Sequence, residues 1–133
     1  MSIEVSNKTK IYIACRANYM SGGSETLHQI AYHLRKDLGI HAFMYYYDSE
    51  INKNNDPVYQ DYKIYEIPYV LEISSIDDNP QNILLVNESL SGLNLLKNYK
   101  NIRKGVVFLS IDNYYFEKLL QHNDIFFQRA TYA

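Results

Sequence analysis

The residues most able to do chemistry in this chain lie in a polar, glycine-containing block behind a short apolar segment. The apolar run Ile11–Cys15 is followed by polar residues from Arg16 to Gly23, and a helical pattern starts at Ser24. Backbone amides at the start of a helix are unpaired, and the helix dipole helps them to bind anions such as phosphate. The amides of Gly23, Ser24 and Glu25 are therefore predicted to bind a phosphate or to orient a sugar.

The Gly22-Gly23 pair also has a simpler interpretation, because glycine allows a chain reversal without any ligand. Glu25 bears on this choice, since its carboxylate suits the first turn of a helix but repels an anion, so that a sugar hydroxyl would be the better ligand. The block matches neither the G-x-G-x-x-G dinucleotide pattern nor a P-loop, which disfavours NAD and ATP enzymes. The candidate ligand-binding residues in this block are Gly22, Gly23, Ser24 and Glu25.

Further polar residues directly follow the other apolar segments that are predicted to be strands. In open parallel sheets, ligands bind at the carboxyl ends of the strands. The candidates at such positions are Arg16, Asn18 and Ser21 in the first case, and Asp48, Glu88, Ser89, Asp112 and Asn113 in the later ones. Asn18 and Glu88 are predicted to bind ligand.

Two residues are candidate general bases, although no catalytic residue can be assigned from the sequence. His28 lies one turn into the predicted helix and could face the binding crevice, or it could be packed or solvated. Asp112 follows a predicted strand and could act as a base, or it could cap the next helix.

The elements that would position these residues form a βαβ unit. Leu27, Ile30, Ala31, Leu34 and Leu38 recur at intervals of three and four, which predicts a helix with one buried face. Gly39 suits the left-handed conformation that ends a helix. The next segment, His41–Tyr47, is predicted to be a strand parallel to the first, with its tyrosine hydroxyls reaching solvent or a polar partner.

The same alternation continues to the end of the chain. After a polar loop centred on residues 52–57, the predicted elements are a short or edge strand within Tyr62–Ile73, a buried strand Asn82–Val86, a helix capped by Ser89 or Ser91, a strand Gly105–Ile111, a helix Tyr114–Gln121 and a strand Ile125–Gln128. This order predicts an α/β fold, namely a Rossmann-like three-layer αβα sandwich with a mainly parallel sheet. A length of 133 residues favours one domain spanning 1–133.

Composition excludes several classes of function. A net charge of −2 gives no basic surface for nucleic acid. The single cysteine, Cys15, cannot form an internal disulfide and is predicted to be a small buried hydrophobic residue. His33, His41 and His122 lack the spacing of metal ligands, so no metal is expected. Without a membrane-length apolar run or a signal-peptide pattern, a cytoplasmic location is expected.

Several segments resemble a known family. The run Lys10–Cys15 followed by Ser21–Leu34 resembles the start of bacterial glycosyltransferases of the GT-B fold, in which the first strand leads into a Gly-Gly-x-Glu loop and a long helix. Asn82–Glu88 and Val107–Tyr114 resemble later strands of the same N-terminal domain in polysaccharide-synthesis members. Phe127–Ala133 resembles the strand and turn that follow.

The resemblance implies an enzyme with two Rossmann-like domains that face a cleft. The N-terminal domain chiefly holds the sugar acceptor, and the C-terminal domain holds the nucleotide-sugar donor. This chain would be the acceptor-side domain of a longer or split hexosyltransferase that moves a sugar to a glycan or lipid-linked acceptor. His28, Glu88 and Asp112 would then be wall residues of the cleft, with the Gly22-Gly23 loop near the donor phosphates or the acceptor.

A single half of the cleft should not catalyse transfer, because the donor diphosphate and the acceptor must be held together. A C-terminal donor-binding domain or a partner subunit is therefore expected, and this domain alone is expected to bind no cofactor. The resemblance also implies peripheral association of the intact enzyme with a membrane. The face that would meet the second domain could instead join two copies into a homodimer.

Two alternatives from other classes remain open. The chain could be a stand-alone binding domain of flavodoxin-like shape for a small anion or a protein partner. It could also be a small hydrolase that uses Asp112 and His28, although no activated nucleophile accompanies them.

Overall fold

A computed structural model describes residues 3–49 and 56–109 of the chain. These residues form a five-stranded sheet in which every strand pair is parallel. The strands are β1 (Lys10–Arg16), β2 (His41–Tyr47), β3 (Tyr69–Val70), β4 (Ile83–Asn87) and β5 (Arg103–Val107), and the α-helices are α1 (Gly22–Lys36) and α2 (Leu90–Leu95). Short 3₁₀ helices cover Gln60–Tyr65, Ile73–Ser75 and Leu96–Asn98.

The sheet is covered on both faces because successive residues of a strand point to opposite sides. In β1, Ile11, Ile13 and Cys15 pack against Leu27 and Ala31 of α1. The intervening β1 residues, Tyr12 and Ala14, belong to the core on the opposite face, which contains the side chains of α2 and of the 3₁₀ helix that follows it. The predicted Rossmann-like sandwich with a parallel sheet is therefore confirmed.

The strand order is β3-β2-β1-β4-β5. From β1 the chain adds β2 and β3 on one side of the sheet, and it then returns to add β4 and β5 on the other side of β1. This is the order of the first five strands of a Rossmann sheet. The flavodoxin order would place β1 between the second and third strands, so the described sheet differs from that order. The direction changes between β1 and β4, and this is where a ligand crevice is expected.

The predicted boundaries of the βαβ unit are close to those observed, with one difference that matters for the site. β2 spans the predicted residues, and Gly39 has the expected left-handed conformation with φ of +63°. The helix, however, begins at Gly22 and not at Ser24, because Ser21 caps it. The Gly22-Gly23 pair is therefore the first part of α1 and not a loop.

Later elements agree less closely with the predictions. The edge strand β3 has only two residues, and a 3₁₀ helix occupies Gln60–Tyr65 in front of it. Ser89 caps α2, which confirms one of the two predicted caps. β5 starts at Arg103, two residues before the predicted start, and ends at Val107. The predicted helix Tyr114–Gln121, the strand Ile125–Gln128, and Asp112 and Asn113 lie outside the described residues.

No helix among the described residues combines the length and apolar character that crossing a membrane requires.

Candidate functional site

A crevice of about 400 Å³ opens at the carboxyl edge of the sheet, between the ends of β1 and β4. Its walls come from the end of β1, the first turn of α1, the end of β4 with the segment that follows it, and the segment after β5. The residues that line it include Arg16, Ser21, Gly23, Asn87, Glu88 and Leu109. The crevice therefore lies at the point where the strand order reverses, as expected for a ligand site in this class of fold.

The first turn of α1 is fixed by a reciprocal pair of serines. Oγ of Ser21 accepts a hydrogen bond from the Ser24 amide (3.0 Å), and Oγ of Ser24 accepts one from the Ser21 amide (2.8 Å). The Glu25 amide donates to the Ser21 carbonyl (3.0 Å), which is the first hydrogen bond of the helix. The Ser24 and Glu25 amides are therefore already paired and are not the unpaired donors that the sequence predicted, although Ser24 lines the crevice.

The amides that precede this first helical bond are those of Gly22 and Gly23. In an N-terminal turn these are the groups that have no partner within the helix. Gly23 lines the crevice, and a Cβ at this position would lie 3.0 Å from Cδ1 of Leu109. A Cβ at Gly22 would meet nothing within 4 Å. Close approach to Leu109 therefore accounts for glycine at position 23 but not at position 22.

The opposite wall of the crevice carries acceptor oxygens. Glu88 is buried, with 4% of its surface exposed, and its Oε2 accepts a hydrogen bond from the Leu109 amide (3.1 Å). Oγ of Ser89 caps α2 by accepting from the Gly92 amide (3.0 Å) and donates to Oδ1 of Asn87 (2.5 Å). These bonds hold the segment after β4 in place, with the carboxyl group of Glu88 among the crevice walls.

The outer rim of the crevice contains a cation and a phenol. Nε of Arg16 lies 3.7 Å from Oδ2 of Asp48, and its guanidinium lies 5.7 Å from the centroid of the Tyr19 ring. Burial raises the pKa of Tyr47 to about 12, so its hydroxyl remains a neutral donor at physiological pH. The crevice therefore combines Gly23, whose amide is unpaired in the first turn of α1, with a carboxyl group, an arginine and a phenol.

Three of the predicted ligand-binding residues, Gly22, Glu25 and Asn18, do not line the crevice. Oε1 of Glu25 accepts hydrogen bonds from the hydroxyl of Tyr65 (2.5 Å) and from the Gln29 amide group (3.3 Å), so it faces the 3₁₀ helix Gln60–Tyr65 and not the crevice. Asn18 has a left-handed backbone with φ of +46°, and its amide donates to the Pro57 carbonyl (2.7 Å). Its position is that of a turn residue behind β1.

His28 is buried on the far side of the first turn and does not line the crevice. Its Nδ1 lies 2.6 Å from the Ser24 carbonyl, and because a carbonyl only accepts, Nδ1 carries the proton. Nε2 is then the acceptor for the hydroxyl of Tyr46 at 2.8 Å. Burial lowers the pKa of His28, which keeps the ring neutral. Both nitrogens are occupied, so the structure does not present this ring to a crevice ligand as a base.

Cys15 is buried at the base of the crevice, and burial raises its pKa to about 12. The prediction that it is a small buried hydrophobic residue is confirmed. Within residues 3–49 and 56–109 there is no group of three or more histidine, cysteine, aspartate or glutamate side chains arranged for a metal ion.

Sequence reasoning did not find the partners that complete the site. Tyr62 bonds to Oγ of Ser24 from a different element, and Leu109 approaches Gly23 from beyond β5. Neither contact has a local sequence signal, because each depends on the tertiary fold. The cap at Ser21 did have one, since a serine followed three residues later by a polar side chain resembles a capping box.

Comparisons with protein-family models, with curated proteins and with solved structures give no match to this chain.

Proposed function

We propose that this chain is the acceptor-side domain of a glycosyltransferase that moves a sugar from a nucleotide-sugar donor to a glycan or lipid-linked acceptor. The observation that carries the proposal is the arrangement of the crevice, in which Gly23 at the start of α1 and the buried residue Glu88 line the same space at the reversal point of the sheet. The resemblance of Lys10–Cys15 and Ser21–Leu34 to GT-B enzymes gives the reaction class.

The mixture of charges favours a sugar-containing ligand over a simple anion. The amides of Gly22 and Gly23 and the guanidinium of Arg16 attract phosphate or hydroxyl oxygens. Glu88 in the same crevice repels a free anion but accepts hydrogen bonds from hydroxyl groups. A sugar phosphate, or a sugar hydroxyl next to a donor diphosphate, satisfies both walls at once.

Transfer requires a second wall that this crevice does not provide. The leaving diphosphate must be stabilised while the acceptor oxygen is aligned with the anomeric carbon. We therefore expect a C-terminal donor domain or a partner subunit to close over the carboxyl edge, and we expect the 133-residue chain alone to transfer no sugar. If the acceptor is lipid-linked, we also expect the intact enzyme to associate peripherally with a membrane.

The proposal is tested by titrating the ¹⁵N-labelled chain with UDP, GDP, glucose 1-phosphate and inorganic phosphate, and by following backbone amide shifts. Glucose 1-phosphate should shift the amides of Gly22, Gly23 and Leu109 saturably, whereas UDP and GDP should bind only weakly, because the nucleotide belongs to the expected donor domain. Glu88→Gln should tighten the binding of inorganic phosphate, because it removes the repelling charge. If inorganic phosphate causes saturable shifts equal to those caused by glucose 1-phosphate, the result would instead support the stand-alone anion-binding domain. If no probe shifts these amides, the glycosyltransferase proposal loses its site.

A further inference from the structure

A second cavity of about 270 Å³ lies on the other side of the first turn of α1, where β2, β3 and the 3₁₀ helix Gln60–Tyr65 approach the helix. Three tyrosines from these elements contribute to its walls, namely Tyr46, Tyr62 and Tyr69. We call it the tyrosine cavity. It is slightly smaller than the pockets of drug-sized ligands, which measure about 300–1,000 Å³, and it has room for one small ring.

The rings of the tyrosine cavity are arranged in two ways. His28 stacks on Tyr62, with centroids 4.2 Å apart and an angle of 28° between the planes. Tyr46 and Tyr69 meet at 65° with centroids 5.4 Å apart. Tyr69 is 43% exposed, whereas Tyr46 and Tyr62 are buried. The cavity therefore has an aromatic floor and one accessible tyrosine on its wall.

The rim of the tyrosine cavity is charged but nearly balanced. Nζ of Lys63 lies 2.9 Å from Oδ2 of Asp56. Glu66 also lines the cavity, and it holds a left-handed backbone with φ of +51° at the end of the 3₁₀ helix. Left-handed residues other than glycine carry strain and are concentrated at functional positions. The rim thus offers two carboxylates as acceptors and one ammonium group as a donor.

We propose that the tyrosine cavity binds one pyranose ring of a saccharide. The C–H faces of a pyranose are apolar and pack on an aromatic ring, while its hydroxyls need acceptors and donors at the edge, which Asp56, Glu66 and Lys63 provide. Tyr46 and Tyr69 meet at 65°, so they do not form a slot of two parallel faces for a planar aromatic ligand. Lys63 is paired with Asp56, so Glu66 leaves the rim with one net negative charge, which disfavours an anion.

The floor of the tyrosine cavity is connected to the crevice. The hydroxyl of Tyr62 hydrogen-bonds to Oγ of Ser24 (2.9 Å) and donates to the Ser21 carbonyl (3.2 Å). Nδ1 of His28 donates a hydrogen bond to the Ser24 carbonyl. A ring seated in the cavity therefore contacts the groups that fix the first turn of α1. Under the proposed function, on which this assignment rests, the ring is a saccharide unit of the acceptor.

The test is a titration of the ¹⁵N-labelled chain with methyl glycosides of glucose, galactose, mannose and N-acetylglucosamine. At least one should cause saturable shifts at the amides of Tyr62, Lys63 and Glu66, with a Kd on the order of 1 mM for a ligand of this size. Tyr69→Leu should weaken that binding roughly 3- to 10-fold, because it removes the aromatic face and keeps an apolar side chain. Tyr32→Leu is the matched control, since Tyr32 is a tyrosine of α1 outside the cavity and should leave the Kd unchanged.

Glu66→Gln provides a second variant on the exposed rim, should Tyr69→Leu disturb the edge strand. It should weaken binding because a carboxylate is the stronger acceptor for hydroxyl groups. Phenol and tetramethylammonium serve as competing probes. The proposal is overturned if no methyl glycoside gives saturable shifts, or if either competing probe binds more tightly than every glycoside. Because the glucose 1-phosphate probe is followed at Gly22 and Gly23, failure of this site is distinguishable from failure of the crevice.

Discussion

The hydroxyl of Tyr62 lies 2.9 Å from Oγ of Ser24, although 38 residues separate the two in sequence. Ser24 belongs to the cap that begins α1, and Tyr62 belongs to the 3₁₀ helix that follows β2. The contact ties a connecting segment at the edge of the sheet to the helix start that lines the central crevice. The crevice is therefore shaped both by its own βαβ unit and by a segment outside it.

Tyr62→Phe should lower the free energy of unfolding by about 1–3 kcal/mol, because it removes two hydrogen bonds of about 0.5–1.5 kcal/mol each, to Oγ of Ser24 and to the Ser21 carbonyl. The variant keeps the ring that stacks on His28 and removes only the hydroxyl. Tyr59→Phe is the matched control, because Tyr59 packs edge-on against Tyr62 and its hydroxyl has no hydrogen bond among the described residues. Urea unfolding followed by circular dichroism measures both. Equal losses in the two variants would show that the Tyr62 hydroxyl does not stabilise the cap.

His28 and Tyr46 should behave as a coupled pair. Tyr46→Phe leaves Nε2 of His28 without its donor, and His28→Leu leaves the Tyr46 hydroxyl without its acceptor. Each single variant should lose about 1–3 kcal/mol of unfolding free energy, since a buried polar group is left unsatisfied. The double variant should lose less than the sum, with a coupling energy of about 0.5–3 kcal/mol. Additive losses in urea unfolding would argue against the hydrogen bond.

The burial of His28 also makes stability depend on pH. Burial lowers its pKa below the ordinary value of 6.5, so at mildly acidic pH the unfolded chain binds a proton that the folded chain does not. The free energy of unfolding therefore rises with pH in this range. The stability that depends on a neutral, buried His28 is complete well above pH 6.5 and is lost as the pH falls below that value.

Urea midpoints measured across this pH range should show the slope in the native chain and a smaller slope in His28→Gln. His41→Gln is the control, because His41 is exposed and the variant retains the buried histidine. An unchanged slope in His28→Gln would mean that another group is responsible.

The sequence was sufficient for the features that repeat locally and insufficient for those that depend on packing. The spacing of Leu27 and Ala31 predicted the buried face of α1, and the apolar runs predicted the parallel strands. The start of α1 was misplaced by two residues because glycine is a poor helix former, whereas a capped first turn tolerates it. The orientation of His28 could not be predicted, since it depends on Tyr46 and Tyr62 in other elements.

Cys15 should be protected from alkylation in the folded chain, although it lies at the crevice. Burial raises its pKa to about 12, so the thiolate that reacts is scarce at pH 8. Iodoacetamide should modify the native protein at least ~100-fold more slowly than the urea-unfolded protein, as the thiolate fraction and access both fall. Mass spectrometry measures the two rates. Similar rates in both states would contradict the buried position of this thiol.

The two glycines at the start of α1 should respond differently to alanine. Gly22→Ala adds a methyl group in open space and should stabilise the chain by about 0.5–1 kcal/mol, because alanine restricts the unfolded chain and favours a helix. Gly23→Ala should gain less or lose stability, since its methyl group would lie 3.0 Å from Leu109. Urea unfolding of both variants gives the comparison.

The same pair separates packing from ligand binding. Gly23 lines the crevice, and its new methyl group would occupy space beside the amide that is proposed to bind oxygen atoms. Glucose 1-phosphate should therefore bind Gly23→Ala more weakly than the native chain, whereas Gly22→Ala should bind it nearly as well. This difference should persist when Leu109→Ala is combined with Gly23→Ala, because relief of the contact restores packing but leaves the methyl group in the crevice. Full recovery of binding in the combined variant would assign the effect to Leu109 and not to the helix start.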